Sequence, residues 1–154
     1  MATKPQSIAD KKNESTGTRT FFFCCIIIAG IIIDQAVKAV VFSLPQVPKY
    51  LSPFNNYYFA FSLPVPLPIS YALYAVVLFF AARYCFSKFF FLNKPELLAW
   101  ALLFAGALSN IGERIMLGYV RDYLPLLDGI FNLADIFIII AIVMLFINSS
   151  GHDF

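Results

Sequence analysis

Charged side chains are scarce in this sequence. Aspartate, glutamate, lysine and arginine make up 13% of its 154 residues, whereas a soluble globular domain carries roughly 25%. The net charge of +2 is too small to indicate an anionic partner such as nucleic acid. The composition therefore excludes a disordered chain, a nucleic-acid-binding protein and an ordinary soluble enzyme. It leaves an integral membrane protein.

Histidine is nearly absent as well, and cysteine follows no metal-binding spacing. The single histidine, His152, lies close to the end of the sequence, which excludes an embedded Ser-His-Asp triad, a Cys-His pair or a histidine-ligated metal. Cys24, Cys25 and Cys85 lie inside apolar runs without a CxxC pattern. Neither a disulfide framework nor a zinc site is therefore indicated.

Long apolar runs make up most of the chain. Hydrophobic residues account for 60% of it, and the mean hydropathy is +0.78. About 20 helical residues cross a 30 Å hydrocarbon core, and a helix satisfies its own backbone hydrogen bonds in lipid. The sequence predicts an all-α membrane protein, a single integral domain over 1–154, with a polar cytoplasmic segment at 1–20 and four transmembrane helices at about 21–42, 69–91, 96–117 and 129–147.

The distribution of basic residues predicts the orientation. Four basic residues precede the first apolar run, and Lys88 and Lys94 lie between the second and third. The opposite side has Lys49, Arg121 and, near the end of the third run, Arg114. Because cytoplasmic loops carry the excess of lysine and arginine, we expect both termini in the cytoplasm.

The connection between the first two helices, residues 43–68, differs from a simple spacer. It contains six of the nine prolines, with tyrosine and phenylalanine between them. Proline prevents a continuous helix, and aromatic residues favour the membrane interface. The composition predicts a small extracytoplasmic platform, β-like or irregular, on the outer leaflet. An inert connector is the alternative.

Three carboxylates are predicted to lie at about the same depth, at or just below the outer membrane surface. Asp34 lies eight residues inside the end of the first run, about 12 Å deep, and Asp135 six residues inside the start of the fourth, about 9 Å deep. Asp122 belongs to the loop that enters the fourth run. A carboxylate in a transmembrane helix costs about 2.5–3.5 kcal/mol or more and usually marks function.

Several polar residues in these runs also have structural interpretations. Asp34 and Lys38 are four residues apart and can form an ion pair on one helix face. Arg114, next to Glu113, can extend to the membrane interface. Two asparagines are suited to hydrogen bonds between helices, namely Asn110 and Asn132.

Asp122 and Asp135 are harder to explain structurally, because no basic residue lies four positions from Asp135. Two carboxylates at a partly dry site cannot both ionise easily. One of them retains a proton, so the pair supplies an acid and a base, as in aspartic proteases. Hydrolysis by such a pair is one interpretation of the spacing.

Four segments carry a family resemblance. Residues 34–38 match D-Q-x-x-K, and 106–114 are similar to G-A-L-G-N-x-x-D-R. Residues 117–123 match L-G-x-V-x-D-F/Y, and 131–135 match F-N-x-A-D. In this order the sequence resembles the lipoprotein signal peptidase (signal peptidase II) family, membrane aspartyl proteases of bacterial lipoprotein maturation.

The resemblance implies roles for nine residues. Asp122 and Asp135 correspond to the catalytic aspartates. The residues that orient the pair or bind substrate are Asn56, Asn110, Arg114 and Asn132, and the supporting residues are Asp34, Lys38 and Glu113. The implied substrate is a prolipoprotein whose cysteine carries diacylglycerol, cleaved before that cysteine at the outer face of the bacterial inner membrane. We expect membrane lipids as partners, a monomer, and neither metal nor cofactor.

The sequence departs from the family pattern in several places. Tyr58 and Phe59 replace glycine and alanine in N-x-G-A-A-F, which here covers 56–61. Glu113 replaces an aspartate, and the interval between the two catalytic positions is short.

Three other functions are considered. A proton-coupled carrier would use the carboxylates as a relay, and a catalytically silent relative would bind without cleaving. A Ser/Lys peptidase has little support, since Ser43 is five residues from Lys38, off the favoured helical spacing.

Overall fold

The computed structural model describes residues 8–57, 65–127 and 129–150. In these ranges the chain forms four helices: α1 (Ile8–Ser43), α2 (Leu67–Lys88), α3 (Lys94–Leu117) and α4 (Leu133–Ser150). Four strands of three residues each lie in the connections: β1 (Phe54–Asn56), β2 (Val120–Asp122), β3 (Leu124–Leu126) and β4 (Gly129–Phe131). The helical membrane architecture is therefore confirmed.

Three helical stretches are long and apolar enough to cross a membrane: Gly17–Ser43, Pro68–Lys88 and Lys94–Leu117. The fourth helix is apolar but shorter, since its 18 residues extend about 27 Å. Large apolar side chains are exposed on these helices, including Phe79 at 64% and Phe146 at 74%, as expected of surfaces that face lipid. The fourth span remains a prediction.

The element boundaries differ from the predicted spans at two places. α1 begins at Ile8, inside the segment expected to be a polar extension. Gly129–Phe131 forms a strand, and α4 begins only at Leu133. The predicted depth of Asp135 was therefore wrong, because Asp135 lies in the first turn of the helix rather than about 9 Å inside it.

The predicted platform is β-like, as β1 shows, but its partner strand comes from elsewhere. β1 pairs antiparallel with β2, in the register Phe54↔Asp122 and Asn56↔Val120. β3 pairs antiparallel with β4. The α1–α2 and α3–α4 connections thus build the platform together. Tyr58 and Phe59 lie outside the described residues.

Glycine allows α3 to pack closely against α4 and α1. A Cβ atom on Gly106 would overlap the Ala134 carbonyl oxygen and would lie 2.8 Å from Ile138 Cγ1. A Cβ atom on Gly30 would lie 2.8 Å from the Ala105 Cβ. Because Ala134 immediately precedes Asp135, the α3–α4 contact sets the position of that carboxylate.

We expect Gly106→Ala to lower the free energy of unfolding in detergent by about 1–3 kcal/mol, because the added methyl group overpacks the α3–α4 contact. Gly112→Ala is the matched control on the same helix, where a Cβ meets nothing within 4 Å. That change should be neutral or stabilising, since alanine favours helix by up to about 1 kcal/mol over glycine. Equal melting temperatures for the two variants would contradict the close packing.

Candidate active site

Asp122 ends β2 with its carboxylate held by two amides. Its Oδ2 accepts a hydrogen bond from Asn56 Nδ2 at 2.9 Å, and its Oδ1 accepts one from Asn132 Nδ2 at 2.6 Å. Asn56 lies on β1, opposite Val120 of β2. Because Val120 and Asp122 are two positions apart on β2, the Asp122 side chain lies on the same face of the sheet as Asn56. The side chain of Asp122 is buried, with 2% exposed.

Asp135 lies in the first turn of α4 and completes its cap. Asn132 Oδ1 accepts a hydrogen bond from the Asp135 backbone N at 3.0 Å, and Asp135 Oδ2 accepts one from the Asn132 backbone N at 3.1 Å. This reciprocal arrangement is a capping box. Asn110 Nδ2 on α3 donates to Asp135 Oδ1 at 2.8 Å. A carboxylate here also interacts favourably with the helix dipole.

Asn132 therefore connects the two carboxylates. Its side-chain amide donates to Asp122, while its backbone N donates to Asp135. Asn132 is fully buried. Arg114, also buried, is close enough to Asp135 to act on its charge.

Asp34 fixes the start of α4 against α1. Its Oδ1 accepts a hydrogen bond from the Ala134 backbone N at 3.0 Å, and its Oδ2 accepts one from Ser109 Oγ at 2.6 Å. Lys38 Nζ lies 2.8 Å from the same Oδ2. One carboxylate thus joins α1, α3 and the first turn of α4, beside Asp135.

Lys38 is a fully buried cation with three partners for its three N–H donors. Its Nζ lies 2.8 Å from Asp34 Oδ2, 3.0 Å from Glu113 Oε2 and 2.9 Å from Asn110 Oδ1. Because Lys38 occupies the oxygen of Asn110, the amide nitrogen of Asn110 is directed at Asp135. The ion pair predicted from the spacing of Asp34 and Lys38 is thus one part of a larger network.

Burial raises the pKa of Asp122 to about 6, because the ionised form loses its hydration. The hydrogen bonds from Asn56 and Asn132 oppose this effect. Repulsion from Asp135 raises the pKa further, and attraction to Lys38 lowers it. Asp122 can therefore exchange a proton near neutral pH, which an acid–base catalyst requires.

Comparisons with known proteins point to one family. A family model described as signal peptidase (SPase) II matches residues 26–150. The chain belongs to the signal peptidase II family. A lipoprotein signal peptidase from Microcystis aeruginosa (strain NIES-843 / IAM M-2473) is 44% identical over 64 residues, which are 40% of this chain and 41% of that protein. This chain thus matches about two fifths of the length of that relative.

Two solved structures share the fold. A bacterial membrane enzyme determined by the in meso method at 2.3 Å resolution has a TM-score of 0.68 and 21% identity, over 84% of this chain and 88% of that one. Another, at 1.9 Å resolution, has a TM-score of 0.69 and 23% identity, over 86% of this chain and 94% of that one.

All nine residues predicted from the signal peptidase II motifs lie in one connected region. Eight of them are buried, and Asp135 is half-buried. The nine residues are Asp34, Lys38, Asn56, Asn110, Glu113, Arg114, Asp122, Asn132 and Asp135. Within residues 8–57, 65–127 and 129–150, no three histidine, cysteine, aspartate or glutamate side chains are placed to hold a metal ion.

Sequence reasoning missed three polar residues of this region. Gln35 donates from Nε2 to Ser109 Oγ at 2.9 Å and accepts from Arg121 at 3.0 Å. Ser109 in turn donates to Asp34. Arg121 bonds Glu113 through both its backbone and its side chain. Gln35 stands inside the matched motif D-Q-x-x-K, so its position gave a signal, whereas Ser109 stands where its motif has glycine and Arg121 occupies a variable position of its motif.

An apolar groove of about 500 Å³ opens between α2 and α3 next to Arg114. Tyr71 Oη donates to the Arg114 carbonyl oxygen at 2.8 Å, and the Tyr74 ring lies 5.2 Å from the Arg114 guanidinium carbon. The groove is lined by Tyr71, Tyr74, Ala75, Leu78, Ile111 and Ile115. Two of these lining residues thus contact Arg114.

The raised pKa of Asp122 predicts how stability depends on pH. The folded protein holds this proton up to about pH 6, whereas an unfolded aspartate releases it near 3.9. This contribution is therefore complete below about pH 4 and is lost as the pH rises through 6. Between pH 5 and 7.5, thermal unfolding should show a loss of about 1 kcal/mol in the wild type that is missing in Asp122→Asn. Parallel pH profiles would contradict the shift.

We expect Lys38→Met to lower the free energy of unfolding by about 3–5 kcal/mol, because it leaves Asp34 and Glu113 as buried carboxylates without this cation. Lys49→Met, in the exposed stretch after α1, removes the same charge from an exposed position and should change the melting temperature little. Similar effects of the two changes would show that the buried cation does not hold the network together.

Proposed function

We propose that this chain is an aspartic endopeptidase that removes signal peptides from lipid-modified prolipoproteins. Cleavage falls immediately before the diacylglyceryl-cysteine, at the outer face of the bacterial cytoplasmic membrane. Family membership supports the reaction class. The observation that carries the proposal is the pair of carboxylates, Asp122 and Asp135, both hydrogen-bonded to Asn132.

In the proposed mechanism one carboxylate acts as a general base on a water molecule, and the other, protonated, donates to the scissile carbonyl oxygen. Water attacks the carbonyl carbon and a tetrahedral diol forms. The roles then exchange as the amine leaves with a proton. The two carboxyl groups titrate as a unit, so either can begin as the acid.

Four neighbouring side chains have positioning roles in this proposal. Asn132, Asn56 and Asn110 donate amide hydrogens to the two carboxylates and hold their oxygens in place. Arg114 lies near Asp135 and carries a positive charge that favours the oxyanion of the intermediate. No step requires a metal or an organic cofactor.

In this proposal the lipid part of the substrate binds in the groove between α2 and α3. Its lining is mostly apolar, and it lies next to Arg114, at the edge of the polar region. A diacylglyceryl-cysteine enters laterally from the bilayer with its acyl chains along this groove. The scissile bond then lies above it, beside the carboxylates.

We further propose that the protein is a multi-pass monomer of the inner membrane with both termini in the cytoplasm. The excess of basic residues before the first span and between α2 and α3 supports this orientation.

The arrangement of buried charges argues against a proton carrier. A relay across the bilayer needs titratable groups at successive depths. In the described ranges, the buried charged side chains are Asp34, Lys38, Glu113, Arg114 and Asp122. These residues form one cluster near the platform, so the rest of the described helices offers no relay.

Purified protein in detergent should cleave a lipid-modified precursor, and Asp122→Asn and Asp135→Asn should each lower the rate by about 10²–10⁴-fold, the usual contribution of acid–base catalysis. Product size and the new N-terminal cysteine are read by mass spectrometry. Glu96→Gln is the control at the far end of α3, where glutamine can still accept the cap hydrogen bond from Asn93.

Undiminished turnover in either aspartate variant would exclude the paired mechanism. A wild-type protein that binds the precursor without cleaving it would indicate a silent relative. Proton-coupled uptake into vesicles that Asp135→Asn abolishes, without any proteolysis, would favour a carrier.

A further inference from the structure

Arg121 immediately precedes Asp122 on β2 and is held by one carboxylate in two ways. Its backbone N donates to Glu113 Oε2 at 3.0 Å, and its side-chain Nε donates to Glu113 Oε1 at 2.6 Å. A second guanidinium nitrogen donates to Gln35 Oε1 at 3.0 Å. The guanidinium also lies 5.9 Å from the Phe42 ring centroid. Arg121 is therefore fixed to both α3 and α1.

The guanidinium bonds lie on the opposite face of the strand from the proposed chemistry. Successive side chains on a strand point to opposite faces, so anchoring Arg121 toward Glu113 leaves Asp122 directed toward Asn56 and Asn132. The Cα atoms of the two residues are about 3.8 Å apart. Any displacement of Arg121 is therefore passed directly to Asp122.

The length of Glu113 makes this double contact possible. Glu113 Oε2 lies 3.0 Å from Lys38 Nζ and also accepts from the Arg121 backbone. An aspartate, which the family pattern has at this position, is shorter by one bond of about 1.5 Å. A carboxylate drawn back that far cannot keep Lys38 and both Arg121 groups at hydrogen-bond distance without moving a helix or the strand.

The balance of charges in this region also favours the pairing of Glu113 with Arg121. Asp34, Lys38, Glu113 and Arg121 form a chain of contacts with two negative and two positive members. Glu113 is 3% exposed and Arg121 20% exposed. Buried charges are stable only when they are paired and hydrogen-bonded. Without Arg121, Lys38 alone would face two carboxylates.

We infer that Arg121 is a positioning residue for the proposed cleavage: clamped by Glu113 and Gln35, it holds the strand segment that places the Asp122 carboxylate. The inference rests on the proposed function, since its main readout is turnover. Arg121 acts through the backbone of Asp122 rather than by contact with substrate. Loss of the clamp therefore lowers kcat and leaves KM nearly unchanged.

The experiment compares Arg121→Met with Lys49→Met in the precursor cleavage assay. Methionine keeps much of the length of arginine and removes the guanidinium hydrogen bonds. We expect kcat to fall by up to about 10²-fold, the cost of misplacing a reacting group by about 1 Å, with KM within about twofold. Lys49→Met, an exposed cation in the stretch before β1, should match the wild type. Arg121→Lys should lie in between, because lysine keeps the charge but lacks the planar fork.

A double-mutant cycle tests whether Glu113 and Arg121 act together. Glu113→Asp and Arg121→Met should each lower kcat, and the loss in the double variant should be smaller than the product of the two single losses, because both changes break the Glu113–Arg121 contact. Independent, multiplying losses would overturn the clamp.

The remaining outcomes are distinguishable. A wild-type kcat in Arg121→Met would overturn this inference and leave the proposed function standing, and so would a loss confined to KM. If Arg121→Met shows no cooperative thermal transition, the kcat and KM of Arg121→Lys are measured instead. A lowered kcat at constant KM in that variant supports the clamp, and an unchanged kcat overturns it. A wild-type protein without cleavage activity would overturn both proposals.

Discussion

The buried ammonium group of Lys38 is the interaction on which the rest of this region depends. It lies within 3.0 Å of two carboxylates, Asp34 and Glu113, and within 2.9 Å of the Asn110 amide oxygen. Burying a charged group costs free energy unless the group is paired and hydrogen-bonded. Lys38 pairs with both carboxylates and Arg121 pairs with Glu113, so both carboxylates have cationic partners inside the helix bundle and act as hydrogen-bond acceptors.

Each partner of Lys38 positions a different element. Asp34 accepts from the Ala134 backbone and fixes the start of α4. Glu113 accepts from the Arg121 backbone and fixes β2. Asn110 donates to Asp135. Asp122 and Asp135 belong to the elements held in this way, so the placement of both proposed catalytic groups follows from one cation rather than from the short strands alone.

The helices and the charged cluster could be predicted from sequence because both signals are strong and local. Apolar runs of helix length and the four-residue spacing of Asp34 and Lys38 required no knowledge of distant pairing. The β1–β2 pairing could not be predicted, since it joins residues 66 positions apart through strands of three residues. The start of α4 was missed because Gly129–Phe131 is as apolar as the helix. Asn132 followed by Asp135 is a capping-box pattern and could have located it.

The cluster contains carboxylates with two kinds of neighbour, and the difference explains how one region serves both structure and chemistry. The Asp34 carboxylate lies 2.8 Å from the Lys38 ammonium group, which carries a full positive charge. Asp122 is held by two neutral amides instead. Amides satisfy the carboxylate oxygens without a full opposing charge, so burial prevails and the pKa rises to about 6. A cation in place of Asn56 would hold Asp122 as an anion and remove its ability to exchange a proton near neutral pH. Neutral donors at the proposed catalytic position and charged ones behind it are therefore the arrangement that hydrolysis by paired carboxylates requires.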